Sequence, residues 1–239
     1  MTESSPAPFH VGITPERVVD AAVDLTRESH LLGWSIRDLS RRLSVTPSVV
    51  YHHVGGKDLL SRRVVERVLG SLSAPSEDID WEPWFRQLLH SAYPAIVPYP
   101  GVATWLLMHG PTFPSVLPIV ETGIAHLVRG GFGDRAGLAY AALLNNAMLT
   151  VSVGDDRLIH EEDGPRDHSA MMTEFRAAAA GSPGLARLAH DFLTPFADGG
   201  ERAQAKRREY YDFIVETTIA GLRAQLPDGS AGSVSRSPR

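Results

Sequence analysis

Apolar residues recur at helical spacing along most of this chain, and no stretch of useful length alternates apolar and polar positions as a half-buried strand would. Val18, Ala21, Ala22 and Leu25 form one stripe of a helix beginning at Thr14, with Pro15 inside it and Glu16 near its positive end. Ile36, Leu39 and Leu43 form a shorter stripe, opened by Ser35 as N-cap with Asp38 three residues on. Thr46 is placed to cap a third helix starting at Pro47, in which Val50 and Val54 anchor it against the second. Gly55-Gly56 ends that helix and Lys57-Asp58 starts the next. Its continuation from Leu59 to Leu72 links head to body until SAPSEDIDWEP breaks the pattern near Ser73.

Helical spacing persists beyond the break. Trp84, Leu88, Leu89 and Ala92 share a face, and Val116 to Arg129 carries Ile119, Gly123, Ala125 and Leu127. Ala136 to Val153 is apolar nearly all round, which predicts a helix buried in the core or under a partner. A last helix, from about Arg207 to Leu226, carries Tyr210, Phe213, Ile214, Thr217, Ile219 and Leu222. Either of these two helices suits a dimer face. The expected architecture is all-α, with a three-helix helix-turn-helix domain over 13–72, a helical ligand-binding and dimerisation domain over 73–226, and flexible Ser-, Pro- and Gly-rich tails over 1–12 and 227–239.

The outward face of the third helix supplies the chemistry. Ser48, Tyr51 and His52 lie together at i, i+3, i+4, offering base-edge and phosphate donors with little acidic repulsion. Between Arg37 and Arg67 the chain holds seven basic residues against three acidic ones, whereas the whole chain carries a net charge of −5. That asymmetry fits a DNA-binding head on an acidic body.

These residues resemble a known family. Thr14 to about Leu69 is similar to the N-terminal domain of the TetR family of transcriptional repressors, on the run VTPSVVYHHVGGKDLL from Val45 to Leu60. The resemblance implies that Tyr51 and Lys57 hold phosphates, that Pro47, Ser48, Val49 and His52 read bases, and that His53 fills the family's usual His position. Ser35, Arg37 and Thr46 complete the expected DNA-contacting set. Val54 stands where many members carry an aromatic, and Gly55 and Gly56 stand where they carry Lys or Asn. The body is similar to the tetracycline-repressor branch at Tyr99-Pro100-Gly101, at the E-x-x-I-x-x-L run from Glu121, and at GGFGD from Gly130 to Asp134. This implies an inducer pocket and a dimer interface of four helices, two from each subunit.

Within the body, Trp105, Met108, His109 and Phe113 sit in a segment broken by Gly101, Gly110, Pro111 and Pro114, which suits a movable pocket wall; the same residues also suit an ordinary core. Asn145 and Asn146 need partners if buried, either a ligand edge or the dimer seam, and Met148 lies one turn further on. These give Trp105, Met108, His109, Phe113, Asn145 and Met148 as candidate ligand contacts. His160 with Glu161, Glu162 and Asp163 hints at a metal site, but neighbouring side chains do not converge, and Asp155, Asp156, Gly164 and Pro165 mark a solvated loop. His52 and His53 diverge by about 100° on a helix and cannot chelate together. No metal or cofactor is expected.

There is no cysteine, so neither a disulfide framework nor a thiolate site exists. No signal sequence opens the chain and no segment is read as approaching the ~20 apolar residues of a membrane span, which predicts a cytoplasmic protein. No nucleophile, base and orienting group fall at suggestive spacings, so no catalytic residue is expected. The sequence therefore predicts a ligand-responsive repressor that binds a palindromic double-stranded DNA operator as a homodimer and is released by a small, largely apolar inducer. The alternatives are an all-helical enzyme with His109 or His160 as general base, or a protein-binding adaptor carrying a helix-turn-helix.

Overall fold

The computed structural model describes residues 12–160, 168–179, 181–194 and 200–227. Among these, every regular element is helical. The expected tails, apart from Gly12 and Pro227, lie outside the described residues, as do Glu161, Glu162, Asp163 and the side chain of His160.

The head begins with α1, Pro15–Glu28, capped by Thr14, whose hydroxyl accepts from the Arg17 amide at 3.3 Å. It buries Val18, Val19, Ala22 and Thr26. The second helix, α2 (Ile36–Leu43), opens with both halves of a capping box: the Asp38 amide donates to Ser35 Oγ and the Ser35 amide donates to Asp38 Oδ2. Ser44 ends it in the left-handed conformation, at φ 56°. Helix α3, Pro47–Val54, buries Val50 and Val54, as their spacing predicts, and stops at Gly55 with φ 76°. Thr46 does not cap it as expected. Its hydroxyl pairs with that of Ser48, 2.8 Å away, instead of accepting from the helix.

Helix α4 spans Lys57–Leu69. It stops three residues before the expected Leu72, because Gly70 is a weak helix former and Leu72 closes a tight turn by donating to the Leu69 carbonyl at 2.9 Å. The body then comprises α5 (Trp81–Ile96), α6 (Val102–His109), α7 (Leu117–Leu127), α8 (Ala136–His160), α9 (His168–Ala179), α10 (Pro183–Leu188) and α11 (Gly200–Arg223). A π-turn at Val128–Phe132 and a 3-10 turn at Gly133–Arg135 bend α7 into α8.

Packing follows the buried stripes. Helix α1 holds α2, α3 and α4 together, α4 abuts α5, and α8 is clasped between α6, α7 and α11. One apolar core runs from Val18 in the head to Leu222 in the body. Gly123 permits a close approach within it: a Cβ there would lie 3.0 Å from Tyr140 Cε2 and 3.1 Å from Trp84 Cζ3. By length and composition alone, the run Leu117–Asp155 is apolar enough to cross a membrane, more so than the sequence pattern suggested. Its bend at Gly131, with φ 99°, interrupts that run, and one side of it packs against α5, α6 and α11.

Candidate nucleic-acid interface and effector cavity

Helix α3 turns one side inward and offers the other. Val50 and Val54 are sealed in the head's core, while Pro47, Ser48, Tyr51 and His52 are exposed and Val49 and His53 half-buried. Tyr51 is 53% exposed, a large aromatic in water at the centre of the face. The His52 and His53 rings meet edge to face at 5.6 Å. The expected reading face is therefore assembled on one helix, and Arg37 of α2 is also exposed.

Much of the positive charge around α3 is neutralised locally. Arg42 grips Glu28 through two bonds of 2.6 and 2.8 Å, Arg41 meets Asp38 at 3.1 Å, and Arg67 pairs with Asp20. The Ser35 hydroxyl and amide, followed by Arg41, hold the Asp38 carboxyl below its ordinary range, and Arg42 does the same for Glu28. Such exposed pairs are screened by water and contribute little, so phosphates can compete for these arginines. Ser35, expected among the DNA contacts, is occupied as a cap, its Oγ 2.6 Å from Asp38 Oδ2.

Lys57 departs from its expected role as a phosphate contact. Its Nζ donates to the Leu31 carbonyl at 2.8 Å and the Trp34 carbonyl at 2.9 Å, and it lies over the Trp34 indole. Burial pushes the ammonium down to about 7, partly offset by Asp38 and Asp58. Two carbonyls and an aromatic face replace the water it loses, so the side chain braces the loop between α1 and α2 from the start of α4.

Behind the head, α4 to α8 enclose an apolar cavity of about 50 Å³. Leu72, Leu89, Ile96, Val116, Tyr140 and Met148 are among its walls. Of the expected ligand contacts only Met148 lines it. Met108 is 74% exposed and His109 and Asn145 also face solvent, because the outer sides of α6 and α8 carry them. Trp105 stacks between His109, at 4.3 Å, and the fully buried Phe113, at 5.2 Å. Arg62 of α4 lies 5.7 Å over that Phe113 ring, so this cluster touches the head rather than the cavity. Tyr140 and Leu144 were missed, although with Met148 they form an i, i+4 stripe in the sequence. Burial pushes the Tyr140 phenol up to about 12.

The outer face of α8 and α11 is apolar and open. Leu138 is 72% exposed and Phe213 63%, with Leu149 and Val153 beside them. A cleft of about 500 Å³ runs along this face between Leu149, Val153, Tyr210, Ile214 and Thr217. Asn146, which donates to Thr218 Oγ1 at 3.2 Å, lines it. The apolar residues expected on the last helix thus divide: Ile219 and Leu222 face the core together with Tyr211 and Val215, while Tyr210, Phe213, Ile214 and Thr217 face outward or into the cleft.

No family model matches the chain. Among curated proteins it is 26% identical over 213 residues to an HTH-type transcriptional regulator of Saccharopolyspora erythraea, covering 89% of this chain and 85% of that one. It is 30% identical over 161 residues to the class A tetracycline repressor from transposon 1721 of Escherichia coli, covering 65% of this chain and 70% of the repressor. The chain belongs to the TetR family. The TetR-family protein ActR of Streptomyces coelicolor, in complex with (S)-DNPA, shares its fold at a TM-score of 0.68 and 20% identity, over 91% of this chain and 100% of ActR. As a TetR-family member the chain is a DNA-binding transcriptional regulator.

Proposed function

We propose that this TetR-family chain is a cytoplasmic homodimeric repressor, with a DNA-reading head over 13–72 and a ligand-binding and dimerising body over 73–226. The observation that carries this reading is the division of α3, whose valines are sealed in the core while Pro47, Ser48, Tyr51 and His52 stand together in solvent. A single head buries too little for tight specific binding. Two heads set about 34 to 36 Å apart enter successive major grooves of a palindromic operator. The bare apolar face of α8 and α11 supports pairing of two bodies as a four-helix seam.

The cavity between α4 and α8 supports release by a small, largely apolar molecule. The cavity is small, so a drug-sized ligand must displace its walls, and Leu69 and Leu72 at the end of α4 are among them. Binding there favours a body shape in which α4, and the head it carries, is turned away from the operator spacing. ActR is seen in complex with (S)-DNPA, which supports a small-molecule effector for the same fold here.

Selection of bound fragments from random duplex DNA tests this reading. A palindromic consensus is expected, and Ser48→Ala or His52→Ala should each relax it at one position, losing about 1 to 3 kcal/mol per base contact. Tyr51→Ala should weaken binding to all sequences and lower the salt slope, whereas Lys57→Met should leave the slope unchanged because Nζ is committed to Leu31 and Trp34. Unselective recovery of DNA, or Ser48 and His52 variants that bind as the parent does, would refute the assignment.

A further inference from the structure

We infer that Asp155 is the positioning residue that ties helix α8 to the DNA-reading head, through a string of hydrogen bonds running by way of Gly101, Pro100 and Leu31 to Lys57. The sequence pattern assigns Asp155 to a polar loop. The structure instead puts it inside α8, 5% exposed, two helical turns beyond the cavity residue Met148. Its Oδ2 accepts the Gly101 amide at 3.0 Å, at the start of α6. The adjacent carbonyl, of Pro100, accepts the Leu31 amide at 2.8 Å. Leu31, 1% exposed in the loop between α1 and α2, offers its own carbonyl to Lys57 Nζ at 2.8 Å. Lys57 is the first residue of α4 and follows α3 by two glycines.

Each link is short, and the middle one, from the Leu31 amide to the Pro100 carbonyl, crosses from head to body. Loss of one leaves a buried amide or carbonyl unmet, so the links are held or lost together more than independently. The Gly101 amide held by the carboxylate and the Pro100 carbonyl that meets Leu31 are the two ends of one planar peptide group, so a shift of one moves the other. This rests on the repressor reading above for its consequence: α8 both walls the cavity and carries the open apolar face, so a displacement of α8 reaches the end of the recognition helix through Asp155. A merely structural Asp would cap α6 and go no further.

Amide hydrogen exchange and operator titration on the full-length protein test the inference. Asp155→Ala is expected to speed exchange at Gly101 and at Leu31 together and to weaken operator binding roughly tenfold, within the usual range of site-to-site coupling. Asp155→Asn, which keeps an oxygen in place, should restore most of both. Combined with Lys57→Met, Asp155→Ala should weaken binding no further than the more damaging single change, where independent sites would multiply their effects. Faster exchange confined to Gly101, or multiplicative losses in the double variant, overturns it. Should Asp155→Ala fail to fold, Lys57→Met decides alone: the bonds of Nζ go to Leu31 and Trp34, both in the head, so faster exchange at Gly101 supports the string and unchanged exchange there defeats it. A parent protein that binds no duplex DNA would remove the repressor reading while leaving the exchange result to stand by itself.

Discussion

Gly101 packs directly against the imidazole of His30, so closely that a Cβ on Gly101 would fall 2.5 Å from His30 Nε2 and 3.0 Å from Nδ1. The ring has little room to retreat, since Nδ1 accepts the Leu32 amide at 3.0 Å. Gly101 also holds φ 88°, which costs a residue with a Cβ about 1–2 kcal/mol. Gly101→Ala is therefore expected to lower the urea midpoint with an unchanged m value and to weaken operator binding, by prising the loop between α5 and α6 off the head. A midpoint equal to the parent's would contradict this contact.

The apolar face of α8 and α11 gives a second expectation. Phe213 is 63% exposed in the single chain, next to the cleft that Tyr210 and Ile214 line. Phe213→Glu should leave the helical circular dichroism intact yet yield monomers in analytical ultracentrifugation. It should also lose on the order of 10²-fold or more in operator affinity, as two linked heads become separate ones. A dimeric Phe213→Glu protein would place the partner on another surface.

The pH dependence of stability should carry a contribution from His126. That side chain is 2% exposed, stacks on Trp84 at 5.1 Å and lies 3.1 Å from Arg129 Nη2 at its Nδ1. Burial, and then the Arg129 charge, hold its pKa below the ordinary 6.5. The unfolded chain therefore takes up a proton near pH 6.5 while the folded one does not, so the stability His126 contributes is present above that pH and declines as the pH falls towards the folded value. Urea midpoints at pH 7.5 and 5.5 should fall less for His126→Gln than for the parent. Equal falls would mean the ring is charged in the fold.

How much of this was legible beforehand follows the range of the interactions. The head could be read because its signals are local: the capping pair Ser35 and Asp38, Pro47 at a helix start, Gly55 at its end, and Val50 and Val54 one turn apart. The direction of Lys57 could not, because its acceptors belong to residues 23 and 26 positions upstream and meet it only when the head closes. Asp155 was hidden for the same reason, its partner lying 54 positions away. Helix α11 carries two apolar stripes, one through Tyr211 and Val215 and one through Tyr210 and Ile214, and periodicity alone does not say which faces the chain's own core. For the cavity, aromatic residues beside breaks drew attention, whereas its walls are mostly aliphatic side chains indistinguishable in sequence from ordinary packing.

The open face of α8 and α11 also sets how occupancy responds to abundance. In the homodimer proposed above, a head reads an operator only in company, and the company is recruited through the exposed Leu138, Leu149, Val153 and Phe213. While subunits are scarcer than the dissociation constant of their pairing, the population of complete readers grows with the square of subunit number. Halving synthesis then quarters the number of molecules able to silence a promoter, which makes this regulator's threshold steep before any effector arrives.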